Sequence, residues 1–226
     1  MDHLSNQTPD IAAPNITNPD ITLGRTFAAS MAVLIAGLAA LLLATEGGQS
    51  FTTETLRRQQ VVAQPQQIGV FEVVDSNGHK TSLNTLLATG DKVWLVDFVY
   101  TRCQTVCSSL GSIYQQLQVQ IQERGLQGKV GLLSISFDPT NDDAAALSAY
   151  ASRMGMNPDI WQIATLSKWQ DRRRLLDTFG IMVVPAPLGE FEHNAALHVV
   201  TRDGRLVRII DYLAYQTALD TAVTAK

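Results

Sequence analysis

The chain has 226 residues and a formal net charge of −4, enough length for one well-buried domain with appendages. An acidic balance gives no electrostatic footprint for nucleic acid, so none is expected as a partner. Cys103 and Cys107 are its two cysteines, and any thiol chemistry runs through that pair.

Residues 1–25, "MDHLSNQTPDIAAPNITNPDITLGR", repeat "PDI" and are rich in Asn, Pro and Thr, which predicts a disordered tail. Residues 26–45, "TFAASMAVLIAGLAALLLAT", carry no charge and have the length of a helix crossing the hydrocarbon core. The preceding polar tail argues for an uncleaved, single-pass anchor rather than a signal peptide, whose apolar core is shorter and nearer the N-terminus. Arg25 flanks the N-terminal end, and the positive-inside rule then puts the tail in the cytoplasm. The glycosylation sequon Asn15-Ile16-Thr17 would be inert there. The large C-terminal part would lie on the periplasmic or equivalent side of the inner membrane, where a disulfide is chemically permitted. Residues 46–66 lack a sustained apolar pattern and read as a tether.

From residue 67 to residue 226 the pattern is globular. "IGVFEVVDSNGHKTSL" predicts two short strands around an Asn77-Gly78 turn. "KVWLVDFVY", residues 92–100, and "KVGLLSISF" predict strands buried on both faces. Between them Val106, Leu110, Ile113, Leu117 and Ile121 fall at helical spacing, with Gly125 and Gly128 ending the run. A helix from near Asp142 carries Leu147, Ala151 and Met154 on one face. "DIWQIAT" follows as a short strand, and then a helix with Trp169, Leu175, Leu176 and Phe179 as its apolar stripe. Arg172 to Arg174 fall on what reads as its solvated side. "ALHVVT" and "RLVRII" form strands around Asp203-Gly204, and Tyr215, Leu219 and Val223 mark a last helix. Buried strands joined by helical crossovers give a parallel sheet core with an antiparallel hairpin closing one side, an α/β, thioredoxin-like domain with an N-terminal β-hairpin. That fold puts reactive cysteines where its first core strand meets the next helix, the place of Cys103 and Cys107.

Four positions apart at a helix start, the two cysteines would share one side of the first turn, with α-carbons about 6 Å apart, within reach of a disulfide. The helix N-terminus, and Arg102 beside Cys103, favour thiolate over thiol. The pair can be a structural disulfide, a redox couple, or two soft ligands of a metal. The first would close only a tiny loop and stabilise little. A metal needs a third ligand. His3 lies in the tail, His79 reads as a solvated turn residue, and His198 reads as a half-buried strand histidine satisfied by its neighbours. His193 stands in the loop that such a fold lays against the cysteine turn, and on the fold alone it is either ligand or bystander. Two thiolates and one imidazole suit Cu(I), while Zn²⁺ would want a fourth ligand such as Asp138.

"TRCQTVC" from Thr101, "DPTND" at Asp138, Pro139 and Asp142, and "FEHNAALHVVTRDG" resemble, in order, the motifs of the SCO/SenC family of copper-binding proteins acting in cytochrome c oxidase assembly. The spacing from His193 to Gly204 fits that family's pattern, which favours His193 over His198. The resemblance covers residues 67–226 and implies Cys103, Cys107 and His193 as ligands of copper, as Cu(I) and also Cu(II). It also implies an N-terminal membrane anchor. The implied partners are the oxidase subunit carrying the CuA site and other copper chaperones or thiol reductants. Gln104 replaces the family's proline after the first cysteine, and Glu192-His193-Asn194 replaces Asp-His-Ser/Thr.

Two functions follow. One is a copper metallochaperone, which is not an enzyme. The other is a thiol-disulfide reductase in which Cys103 and Cys107 are the redox-active pair. A peroxiredoxin-like peroxidase fails because Thr101 stands two, not three, residues before Cys103 and the upstream proline is missing.

Overall fold

The computed structural model describes residues 19–44, 53–103, 106–187 and 190–225. It divides into two compact units, residues 1–53 and 54–226.

In the first unit, α1 spans Pro19–Ala44 and contains the apolar stretch Gly24–Leu43, in which Arg25 is the one charged residue. Its 20 residues match the length a membrane-crossing helix requires. The helix starts earlier than the boundary at residue 26, because Pro19 and Asp20 are residue types that helices favour in their first turn. Residues 1–18 of the expected tail lie outside the described residues.

The second unit opens with α2 (Thr53–Ala63) and β1 (Gln66–Gln67), in the stretch read as a tether. Val61 is fully buried there, and Arg57 donates to the Thr178 carbonyl at 2.7 Å. One buried apolar residue leaves too faint a pattern for a sequence to show. The hairpin β2 (Glu72–Asp75) and β3 (Lys80–Ser82) turns at Gly78, whose φ of +82° a side chain would oppose. A short helix, α3 (Leu83–Leu87), follows, capped by the Ser82 hydroxyl on Thr85 N–H. The core elements are β4 (Val93–Val99), α4 (Val106–Glu123), β5 (Val130–Ser136), α5 (Ala144–Met154), β6 (Trp161–Leu166) and α6 (Arg172–Phe179). The chain ends with β7 (Val183–Pro185), β8 (Phe191–His193), β9 (Ala196–Val200), β10 (Arg205–Asp211) and α7 (Tyr215–Thr224).

Among the described residues eight strands form one sheet in the order β1-β10-β9-β4-β5-β6-β2-β3, and β7 and β8 form a separate pair. The central β4, β5 and β6 are parallel, as their helical crossovers demand, and antiparallel hairpins extend both sides. Sequence patterning had suggested a hairpin on one side only. Every residue of β4 and β5 is buried, which explains their near-continuous apolar sequence. α4 and α7 cover one face, where Leu110, Tyr114, Leu117 and Leu219 pack with Leu95 and Leu132. The other face holds α3, α5 and α6 against Trp94, Val96 and Phe98. The thioredoxin-like α/β fold is thereby established, with β4 running straight into the cysteine turn.

One residue of β4 opposes this apolar logic. Asp97 is fully buried, and neither carboxyl oxygen has a partner in hydrogen-bond geometry. Burial pushes its pKa up to about 7, with the Ser134 hydroxyl acting weakly the other way. A carboxyl raised in the folded state is harmless below its ordinary value of 3.8 and costs stability increasingly as pH climbs from there to about 7. Above that the cost levels off at about 4 kcal/mol. Asp97→Asn is therefore expected to raise the urea midpoint at about pH 8 and to flatten the decline in stability between about pH 4 and pH 7. Parallel pH–stability curves for the two proteins would contradict the assignment.

Candidate metal centre

The turn after β4 is held by carboxylates from the loop after β5. Asp142 is fully buried and accepts three hydrogen bonds: from Thr101 N–H at 2.9 Å, from the Thr101 hydroxyl at 2.6 Å and from the Ser136 hydroxyl at 2.5 Å. Asp138, equally enclosed, accepts from Arg102 at 3.1 Å and from Asn141 at 2.8 Å. Arg153 donates to the Thr101 carbonyl at 2.9 Å. Two earlier expectations change here. Arg102 is committed to Asp138, so its charge is compensated rather than available to a thiolate. Asp138, weighed as a fourth zinc ligand, is occupied with the same ion pair.

Cys103 lies at the end of this turn, its N–H bonded to the Tyr100 carbonyl at 3.1 Å, and it is buried. Cys107 falls in the first turn of α4; its side chain, with Gln104 and Thr105 entire, lies outside the described residues. Among the described residues no three of His, Cys, Asp and Glu come together as a metal cluster.

His193 is the last residue of β8, paired with Val183 of β7, rather than part of a loop. Its ring stands edge-on to Phe137, with centroids 5.2 Å apart, and Nδ1 lies 3.0 Å from the Asn194 carbonyl. A carbonyl only accepts, so Nδ1 carries the proton and Nε2 keeps its lone pair. Burial pulls the His193 pKa below its ordinary value, against the opposing effects of the Asn194 bond and of Cys103 nearby. The fold thus places His193 near Cys103. A neutral imidazole beside a buried thiol is a donor set that fits a soft metal ion.

The surroundings of the pair left no trace in sequence spacing. The Tyr100 hydroxyl donates to Glu190 Oε2 at 2.5 Å and accepts from Phe191 N–H at 3.2 Å, tying the cysteine turn to β8. Burial and the bond to Glu190 hold this phenol well above its usual pKa, and it also faces Cys103. Tyr100, Phe137 and Phe191 pack with centroids 5.4–5.7 Å apart. Arg172 lies over Phe137, Phe191 and Trp169, and its Nε donates to the Phe137 carbonyl at 2.9 Å. Arg174 likewise sits over Phe71, with its Cζ 4.3 Å from the ring centroid. Of the three arginines read as solvated, Arg173 and Arg174 are exposed and Arg172 is half-buried, whereas Trp169, placed in the buried stripe, is half exposed. The groove beside α6 lined by Trp169, Arg172, Arg173 and Met182 has a volume of about 710 Å³.

The other histidines stand apart. His198 is fully buried rather than half-buried, its ring nitrogens 3.1 Å from the Val96 carbonyl and 3.0 Å from the Phe179 carbonyl. Burial drives its pKa to about 4. His79 is exposed in the β2–β3 turn against Asp75, and His3 lies outside the described residues.

With this geometry in place, comparison with known proteins is decisive. Residues 59–225 match the SCO1/SenC family. The chain belongs to that family. A SCO1 protein homolog of Bacillus subtilis (strain 168) is 27% identical over 178 residues, covering 77% of this chain and 84% of the relative. The structure of ScoI of Bradyrhizobium japonicum, solved with copper bound, is 26% identical with a TM-score of 0.51, covering 68% of this chain and 98% of that one. The fold is shared with BsSco, described as a member of the Sco family of cytochrome c oxidase assembly proteins, in which a disulfide switch was identified. That likeness has a TM-score of 0.60 at 24% identity and covers 72% of this chain and 96% of the other. In this SCO1/SenC protein, then, Asp142 is the anchor of the segment that presents Cys103.

Asp142→Ala leaves one buried N–H and two hydroxyls without their acceptor, a loss of about 3 kcal/mol in urea unfolding. Cys103 should also be alkylated faster by iodoacetamide under native conditions. Unchanged stability together with an unchanged alkylation rate would show that the clamp is not made.

Proposed function

We propose that this SCO1/SenC protein is a membrane-anchored copper metallochaperone. It binds Cu(I), and also Cu(II), through Cys103, Cys107 and His193, and passes it to the CuA site of a cytochrome c oxidase subunit during assembly. Copper is the cargo here, and the protein acts by binding rather than by turnover. The anchor corresponds to residues 26–45, with the tail in the cytoplasm and the domain on the periplasmic or equivalent side of the inner membrane.

The observation that carries this reading is the neutral His193 imidazole that β8, paired with β7, holds near buried Cys103. A thiol reductase has no use for that imidazole, whereas a Cu(I) site built from two thiolates gains its third donor. The copper-bound Bradyrhizobium relative supports the same choice of cargo. As the metal enters, the cysteine thiols give up their protons. His193, already neutral, has none to release from Nε2. Phe137 packs edge-on to the His193 ring, with Tyr100 against Phe137, giving the imidazole an apolar flank that suits a soft ion.

The placement of Cys107 in the first turn of α4, directly after Cys103, also supports thiol-disulfide exchange by the same pair. A reductase that keeps the oxidase cysteines reduced is therefore the second reading.

Cu(I) titration of the reduced full chain in detergent, in competition with a chromophoric chelator, separates the two. The wild type should bind one ion tightly, Cys103→Ser and Cys107→Ser should abolish tight binding, and His193→Ala should weaken it about 10–100-fold. Equal, tight binding by all four proteins would overturn the chaperone reading. Insulin reduction at a thioredoxin-like rate, lost in both serine variants, would establish the second.

A further inference from the structure

The residue after His193 departs from the family's Ser/Thr, and its contacts show what it does here. Asn194 carries the carbonyl that fixes the His193 Nδ1 proton at 3.0 Å. Its side chain is held twice: Oδ1 accepts from Met182 N–H at 2.7 Å, and Nδ2 donates to the Gly180 carbonyl at 3.0 Å. Both partners belong to the segment leaving α6. That segment is itself rigid. Gly180 is the left-handed C-cap of α6 at φ 69°, bonded to the Asp177 carbonyl, and Ile181 N–H bonds back to Leu176. A side chain at Gly180 would collide with the Arg57 guanidinium, so α2 seals the same corner from outside.

We propose that Asn194 is the positioning residue of His193: its carboxamide bolts the two-residue link between β8 and β9 to the end of α6. In that position its own carbonyl locks the imidazole as the Nδ1–H tautomer. The chemistry requires one acceptor and one donor at fixed separation, which a carboxamide supplies. A carboxylate retains the acceptor but loses the donor and sets negative charge against the Gly180 carbonyl. The affinity arm of this proposal rests on the copper reading, whereas the tautomer arm does not.

The test uses the full chain in detergent, with ¹⁵N-labelled histidine and Cu(I) competition, comparing wild type with Asn194→Asp and Asn194→Ala. In the metal-free wild type, at a pH where the ring is neutral, the His193 ¹⁵N shifts should report a single Nδ1–H tautomer. Both variants should show a mixture of tautomers and bind Cu(I) about 10–100-fold more weakly, the usual effect of removing an outer-shell partner. A wild-type His193 protonated at Nε2 would overturn the proposal, even if neither variant folded. Wild-type tautomer and affinity in both folded variants would overturn it as well. If His193→Ala left copper binding unchanged, the copper reading would fail while the tautomer comparison still judged the positioning role.

Discussion

The fold of the site depends on one buried carboxylate. Asp142 lies in the loop after β5, yet its hydrogen bonds reach across to the turn after β4 and to the last residue of β5. A buried charge is tolerated only where several donors converge on it, and these three converge from two neighbouring parallel strands. The arrangement is self-consistent: the parallel register of β4 and β5 sets Val99 opposite Ser136, and the clamp bridges the loops just beyond that pair. The cysteine turn inherits its position from this crosslink rather than from its own sequence, which accounts for the wide separation of "TRCQTVC" and "DPTND" along the chain.

The second half of the site is assembled differently. β8 is tied to the turn by Tyr100, which bonds Glu190 and the Phe191 backbone, and by ring packing among Tyr100, Phe137 and Phe191. Arg172 lies across the two phenylalanines. Electrostatics and aromatic packing therefore divide the labour: carboxylates fix the thiol side, and rings fix the imidazole side.

Much of the fold was legible in the sequence because its signals are local. β4 and β5 are continuous apolar runs, α4 keeps its apolar spacing from Leu110 to Ile121, and both hairpin turns carry glycine at the positive φ they require. What escaped notice were elements whose stability comes from distant partners. α2 contributes Val61 and Arg57 to a core built elsewhere, and β7 and β8 are three residues each. The place of His193 near the cysteine turn was legible through topology and through resemblance to a family. The roles of Tyr100, Glu190 and Arg172 were not, since a single polar or aromatic residue carries no periodicity. The arginine run shows the limit most clearly, because composition reads three solvated charges where two lie stacked on aromatic rings.

The separateness of the β7–β8 pair has a mechanical consequence. Its strands share no ladder with the eight-stranded sheet, and a two-stranded ribbon is only marginally stable by itself. His193 therefore rests on a ribbon joined to the rest by side-chain bonds and ring packing, whereas β4, which leads into the cysteine turn, lies in the middle of the eight-stranded ladder. Shifting that ribbon would break side-chain contacts and leave the parallel ladder of β4 and β5 in register.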